Sequence, residues 1–300
     1  MELPYAYKDI LCNSNAPFKK ALSTVKEKIT INKANLVRNL WQLMQQFLPL
    51  LPFTKPMKEA LLSVIIPAYN EERAIALVLN KVFNSLENNN IPAEVIVVDD
   101  ASKDKTTEEV ERFMEADPRF PIRLIRSNPN RGKGFVIRQG IMAATGQYVL
   151  VQDADHEYDP REYPRLLSPV LDGMADVVYG SRFMGGKPHR ILFFWHSIGN
   201  KFLTTISNAF TNLNLTDMES GYKLFKREII QSIYLKENRF GFEPEVTAKV
   251  ARVNNVRIYE VGISYYGRTY AEGKKINWKD GFRAIWCILK YNVWDKKSFK

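Results

Sequence analysis

From Leu61 onward the chain alternates short Val/Ile-rich runs with helix-length stretches, and this alternation leaves few folds open. Leu62–Pro67, Glu94–Asp99, Ile122–Ser127, Tyr148–Gln152 and Asp176–Gly180 read as strands. Glu71–Leu86, Lys105–Glu115, Gly134–Ala144 and Arg161–Leu171 read as helices. A strand that is apolar at nearly every position needs cover on both faces, and regular strand–helix–strand succession brings successive strands parallel. The expected fold is therefore α/β, a mainly parallel central sheet flanked by helices. Ligands in such sheets sit beyond the carboxyl ends of the strands, so the residues following each strand are where chemistry is expected.

The first strand leads to Pro67-Ala68-Tyr69-Asn70-Glu71-Glu72, with Asn70 placed to cap the next helix and Tyr69 offering a flat ring. The second ends in Asp99-Asp100; one carboxylate can cap a helix, and two suggest that one faces a ligand. Asn128-Pro129-Asn130-Arg131-Gly132-Lys133-Gly134 follows the third strand and lacks the G-x-x-x-x-G-K-[ST] spacing, which excludes a P-loop ATPase. The fourth runs into Asp153-Ala154-Asp155-His156-Glu157. In extended chain Asp153 and Asp155 share one side. Two like charges there are tolerable when a hard divalent cation, Mg2+ or Mn2+, sits between them and an anionic ligand.

Charge is uneven along the chain. The net of +10 divides into +5 over residues 1–60, −3 over 61–248 and +8 over 249–300. This suits a catalytic body held against an anionic membrane surface and does not suggest nucleic acid; solubilising charge is the plainer reading. Residues 29–48 carry helical apolar spacing through Leu36, Val37, Leu40, Trp41, Met44, Phe47 and Leu48, and Pro49 and Pro52 end it. Such a helix can lie on a membrane, pair with its copy or pack on the main domain. The expected organisation is a basic helical extension and linker over 1–60, a catalytic domain over 61–275 and an amphipathic basic helix over 276–300. No run of 18 apolar residues occurs, and the first residues lack a signal-peptide pattern. With only Cys12 and Cys287, neither a disulfide framework nor a cysteine zinc site is expected, which fits a reducing compartment. The expected location is cytoplasmic, peripherally attached to the cytoplasmic face of a membrane.

Two later segments combine cations with grease. Pro188-His189-Arg190 precedes Ile191-Leu192-Phe193-Phe194-Trp195, then His196-Ser197 and a helical segment containing Phe202, Leu203, Ile206 and Phe210. Trp278, Phe282, Ile285, Trp286, Leu289 and Val293 are interleaved with Lys279, Arg283 and Lys290. Both suit a lipid phosphate at a membrane interface, and both suit helices packed on a core.

The stretches IPAYNEE (66–72), VVDDASKDKT (97–106), NRGKG (130–134), QDAD (152–155) and YGSRF (179–183) together resemble the family-two glycosyltransferases of the A-type nucleotide-sugar fold. Asp217-Met218-Glu219-Ser220-Gly221-Tyr222-Lys223, and Tyr266-Gly267-Arg268 followed by Glu272-Gly273-Lys274-Lys275, are similar to dolichyl- and polyprenyl-phosphate mannose and glucose synthases. The resemblance implies inverting transfer of a hexose from a UDP- or GDP-sugar to a polyprenyl phosphate. It places the nucleotide-sugar on Pro67, Ala68, Tyr69, Asn70, Glu71, Asp99, Asp100, Lys133, Asp153 and Lys274. Asp153, Asp155 and Glu157 would hold the metal, Asp155 and Arg268 would act in catalysis, and Arg182, Arg190 and Ser197 would take the acceptor phosphate. A hydroxyl acceptor would instead need a base from Asp217, Glu219, Glu243 or Glu245. A nucleotide-sugar-binding scaffold without activity is the remaining alternative.

Overall fold

A seven-stranded sheet in the order β3-β2-β1-β4-β6-β5-β7 organises the chain. The structure, a computed structural model, describes residues 60–185, 193–267 and 278–296. The helix expected over 29–48, together with Arg190, Arg268 and Lys274, lies outside these residues. So do residues 1–59, ahead of the expected 60/61 boundary, and 268–277, around the expected 275/276 boundary.

The strands are β1 (Leu62–Ala68), β2 (Ala93–Asp99), β3 (Ile122–Arg126), β4 (Tyr148–Val151), β5 (Val177–Ser181), β6 (Lys223–Lys226) and β7 (Ile258–Gly262). β1 to β4 pair in parallel, as do β5 and β7, while β6 runs antiparallel between β4 and β5. The mainly parallel sheet is thus the expected one, with a reversed strand that the sequence pattern does not reveal.

Alternation explains the two buried faces. Leu62, Val64 and Ile66 of β1, with Val95 and Val97 of β2, enter one core with α1 (Ile75–Asn88) and α4 (Tyr163–Leu171). α2 (Thr106–Ala116) adds Val110 to that core. Ile65, Ile96 and Val98 point the other way, onto α3 (Lys133–Ala143) and α7 (Phe242–Val250). Full burial of each such aliphatic side chain contributes about 1.5–3 kcal/mol, which is why a continuous apolar run is stable only between two helical layers. α3 lies very close to β1: a Cβ at Gly140 would stand 2.4 Å from Ile65 Cγ2. Beyond β5 follow α5 (Phe194–Thr211), the short α6 (Arg227–Ser232) and, after β7, α8 (Trp278–Leu289), which continues as a π turn over Lys290–Trp294. α8 packs on α5 and α7.

Candidate active site

The loops after β1 and β2 are joined by their own polar groups. Asn70 adopts a left-handed conformation (φ 53°). Its N–H donates to Ser102 Oγ at 2.9 Å, and its Oδ1 accepts from the Lys103 N–H at 2.8 Å. The Glu71 N–H donates to Thr106 Oγ1 at 2.8 Å. Asn70 therefore does not cap α1, which begins at Ile75 without a side-chain cap; the expected cap is a tie between loops. Tyr69 is 37% exposed at this rim, next to Pro67 and Ala68 at the end of β1.

The two adjacent aspartates divide their work. Asp100 accepts the backbone N–H groups of Arg131 (2.8 Å) and Gly132 (2.7 Å), which shapes the loop before α3. Asp99 uses Oδ2 for the Ser102 N–H at 3.0 Å, while its buried Oδ1 has no hydrogen-bond partner. A buried acceptor left open costs about 1–3 kcal/mol, so of the two carboxylates Asp99 is the one with an acceptor atom still open.

Lys133, the first residue of α3, brings Nζ to 2.6 Å from Asp153 Oδ1 beyond the end of β4. Burial opposes its charge, but Asp153 and then Glu243 outweigh that and raise the lysine above its ordinary range. The Asp153 turn rests on side chains the sequence reading did not single out. Gln152 is buried, donates Nε2 to the Asp153 carbonyl at 3.1 Å, and takes the hydroxyls of Tyr163 (2.9 Å) and Tyr222 (2.5 Å) on Oε1. Tyr158 stacks on Tyr222 with centroids 4.6 Å apart. Glu157, the third expected metal ligand, accepts the Tyr265 hydroxyl on Oε2 at 2.8 Å. Among the described residues no three His, Cys, Asp or Glu side chains converge as a cation cage. Asp153 and Asp155 remain a donor set suited to a hard cation, because Mg2+ is held by one or two carboxylates plus phosphates and water.

The turn over 217–221 reaches the same point. A Cβ at Gly221 would lie 3.0 Å from Asp153 Oδ2, so the 217–223 segment touches the β4 aspartate. Asp217, fully buried, receives Arg182 in a fork, Nε to Oδ2 at 2.7 Å and Nη2 to Oδ1 at 2.8 Å. The Arg182 N–H and Asn200 Nδ2 complete it, each at 3.0 Å. Burial would raise the Asp217 carboxyl, yet Arg182 holds it below its usual range. So engaged, Asp217 is held as a carboxylate whose oxygens are already taken by Arg182 and Asn200. Ser197 lies three residues before Asn200 on α5, on the same helix face.

Glu245 is likewise engaged. It accepts the backbone N–H groups of Lys236 and Glu237, each at 2.7 Å, and pairs with Lys249 at 2.6 Å, both side chains fully buried. This leaves Glu219 and Glu243 of the four expected base candidates. Glu219 Oε1 is buried without a hydrogen-bond partner. Glu243 Oε2 stands 3.6 Å from Lys223 Nζ, beyond hydrogen-bonding reach. Burial, and next the charge of Glu243, push the Glu219 carboxyl up to about 7. A carboxyl whose folded value exceeds its ordinary 4.5 stabilises the fold at low pH, and that contribution is lost as pH rises through 7. Glu219→Gln is therefore expected to raise the thermal midpoint by at least about 2–4 °C at pH 8 and not at pH 5. An equal shift at both values in a melting series contradicts this.

The family model described as glycosyl transferase family 2 matches residues 63–234. A dolichol-phosphate mannosyltransferase of Pyrococcus furiosus is 28% identical over 232 residues, covering 76% of this chain and 64% of that protein. The chain thus spans just under two thirds of that relative's length. A dolichyl-phosphate beta-glucosyltransferase of Trichomonas vaginalis is 30% identical over 273 residues, 83% of this chain and 79% of that protein. The crystal structure of glucosyl-3-phosphoglycerate synthase from Mycobacterium tuberculosis in complex with Mn2+ and UDP-glucose superposes with a TM-score of 0.59 at 19% identity, covering 78% of this chain and 79% of that one. That likeness carries the fold.

Proposed function

Because the chain belongs to glycosyl transferase family 2, we propose that it moves a hexose, with inversion, from a nucleotide-diphospho-sugar to a polyprenyl phosphate at a membrane surface. The observation that carries this reading is the contact of the Gly221 turn with the Asp153 carboxylate. It brings the acceptor-side segment against the end of the strand whose aspartate pairs with Lys133. The names of the Pyrococcus and Trichomonas relatives support a lipid-phosphate acceptor.

In this reading Asp99 holds the nucleotide, and Tyr69 offers it a face to stack on. Lys133 is freed from Asp153 in part to face the donor diphosphate. Asp155 and Asp153 would hold a divalent cation, which supplies positive charge for the leaving diphosphate. Arg268 and Lys274 are assigned by resemblance to the same leaving group, and Arg190 and Ser197 to the acceptor. Arg182, its Nε and Nη2 held by Asp217, has its Nη1 donors left for the acceptor phosphate. A phosphate monoester is largely ionised at pH 7, so its oxygen attacks the anomeric carbon without a strong base.

A second reading rests on Glu219. A carboxyl near 7 beside Glu243 suits general-base catalysis on a hydroxyl acceptor. A panel of UDP- and GDP-hexoses with a short polyprenyl phosphate, followed by mass spectrometry, separates the two. Lipid-linked hexose is the expected product. Transfer to sugar or other hydroxyl acceptors alone would replace the first reading by the second.

Attachment to the membrane is assigned to the outer faces of α5 and α8. Phe194 and Trp195 (78% exposed) and Phe202 on α5 face solvent, as do Phe282 and Trp286 on α8, with Trp294 stacked on Trp286 at 5.7 Å. No described helix is long and apolar enough to cross a bilayer, which fits burial of these rings at a lipid interface. Salt-sensitive binding to anionic vesicles is expected in a flotation assay, and Phe194→Ser with Trp195→Ser should weaken it by about tenfold or more. Unchanged flotation of the double variant would refute the assignment.

A further inference from the structure

The segment 235–240 joins two parts of the fold that are far apart in sequence. On one side its backbone lies against the first turn of α3. A Cβ at Gly132 would stand 2.5 Å from the Asn238 carbonyl oxygen, and one at Gly134 2.5 Å from that of Glu237. The Phe135 N–H donates to the Asn238 carbonyl at 3.2 Å, and Arg138 Nη2 reaches Asn238 Oδ1 at 2.6 Å. Lys133 stands between the two glycines, so its backbone is seated by this segment.

On the other side the Glu237 side chain, 3% exposed, enters the C-terminal helix and its π turn. Oε1 accepts from Tyr291 Oη at 2.7 Å and Lys290 Nζ at 3.0 Å, and Oε2 from Arg283 Nη2 at 2.6 Å. Burial opposes the carboxylate, but Arg283, Tyr291 and Lys290 hold it down to about 2. The Glu237 N–H is fixed to Glu245 Oε2 at 2.7 Å. Gly241 permits the close approach, since a Cβ there would meet Cys287 Sγ at 2.6 Å and Glu237 Oε2 at 2.8 Å. Three donors on one nearly buried carboxylate exceed what fixing a surface loop requires. Through them, residues 237–238 link α8 and its π turn to the first turn of α3.

We propose that Glu237 is a positioning residue for Lys133, tying the aromatic C-terminal helix to the donor-phosphate site. Lipid engagement of Phe282, Trp286 and Trp294 then acts on the same rigid connection that seats the lysine. The inference rests on the assignment of Lys133 to the donor diphosphate.

A double-mutant cycle tests it. Affinity for UDP and for GDP, each with Mn2+, is measured by calorimetry on the full chain, Glu237→Gln, Lys133→Ala and the double variant. Gln keeps the shape and the Tyr291 bond and removes the charge that Arg283 and Lys290 hold. If Glu237 acts through Lys133, Glu237→Gln weakens binding of the recognised nucleotide by about tenfold when the lysine is intact and by less than about twofold in the Lys133→Ala background. Equal weakening in both backgrounds overturns the proposal, as does unchanged affinity in a folded Glu237→Gln. Should Glu237→Gln fail to fold, Arg283→Gln, which leaves Lys290 and Tyr291 in place, enters the same cycle with the same criterion. A parent chain that binds neither nucleotide removes the donor-site reading and this inference with it. An additive cycle in a chain that does bind removes this inference alone.

Discussion

Asp155→Asn is expected to lower turnover by about a hundredfold or more while the protein stays folded. The substitution exchanges an anionic ligand for an amide of nearly the same volume. The turn that carries it is held from beneath by Gln152, Tyr163 and Tyr222. The loss therefore belongs in kcat with Mn2+ in excess, and the thermal midpoint should move by no more than a degree or two. Chelation should silence the unmodified protein, and Mn2+ or Mg2+ should restore it. Near-complete turnover in the variant, or in chelator, would take the cation out of the mechanism.

Arg182→Ala is expected to act first on stability. Its partner Asp217 is fully buried, and removing one member of a buried pair costs about 3–5 kcal/mol because the remaining charge has no counterion. At about 2–4 °C per kcal/mol for a domain of this size, a large fall in melting temperature follows. Replacing both members by Met and Leu should recover most of it. Arg182→Lys keeps the charge and loses the fork, so it separates the two roles. If the lysine variant melts near the parent temperature but uses a polyprenyl phosphate poorly, the arginine serves the acceptor as well as the fold. Were Arg182→Ala to melt like the parent, the pair would carry little of the local structure.

Period and order made the five strands from β1 to β5 legible, because a run that is apolar at nearly every position has few alternatives. β6 and β7 were not legible. Lys223-Leu224-Phe225-Lys226 is too short to show a period, and its direction depends on partners far back in the chain, at Tyr148 and Leu150. Site residues followed the same division. Asp99, Lys133 and Asp153 stand at strand ends or helix starts, where type and place already limit their use. Asp100, Asn70 and Glu245 look the same in sequence, yet each is occupied by backbone N–H groups or by a cation whose proximity only the fold creates. Glu157 accepts the hydroxyl of Tyr265, 108 residues away, a partner that no local pattern announces. Glu237 gave no sign at all, since its three donors come from residues 46 to 54 positions later.

The reversal of β6 has a consequence for how such a chain can diversify. Residues assigned to the donor follow parallel strands, on loops that each open a helix. The 217–221 turn instead precedes a strand, and it arrives at the same edge only because that strand runs backwards. In the proposed reaction, donor and acceptor would thus be held by segments with different ties to the scaffold. The turn before β6 is fixed through Asp217 to Arg182 and through the Gly221 N–H to the Tyr158 hydroxyl, whereas the loops after β1 and β2 are tied to one another. Under the proposed function, a change in what receives the sugar would therefore fall on a segment that enters the sheet against the direction of those that hold what gives it.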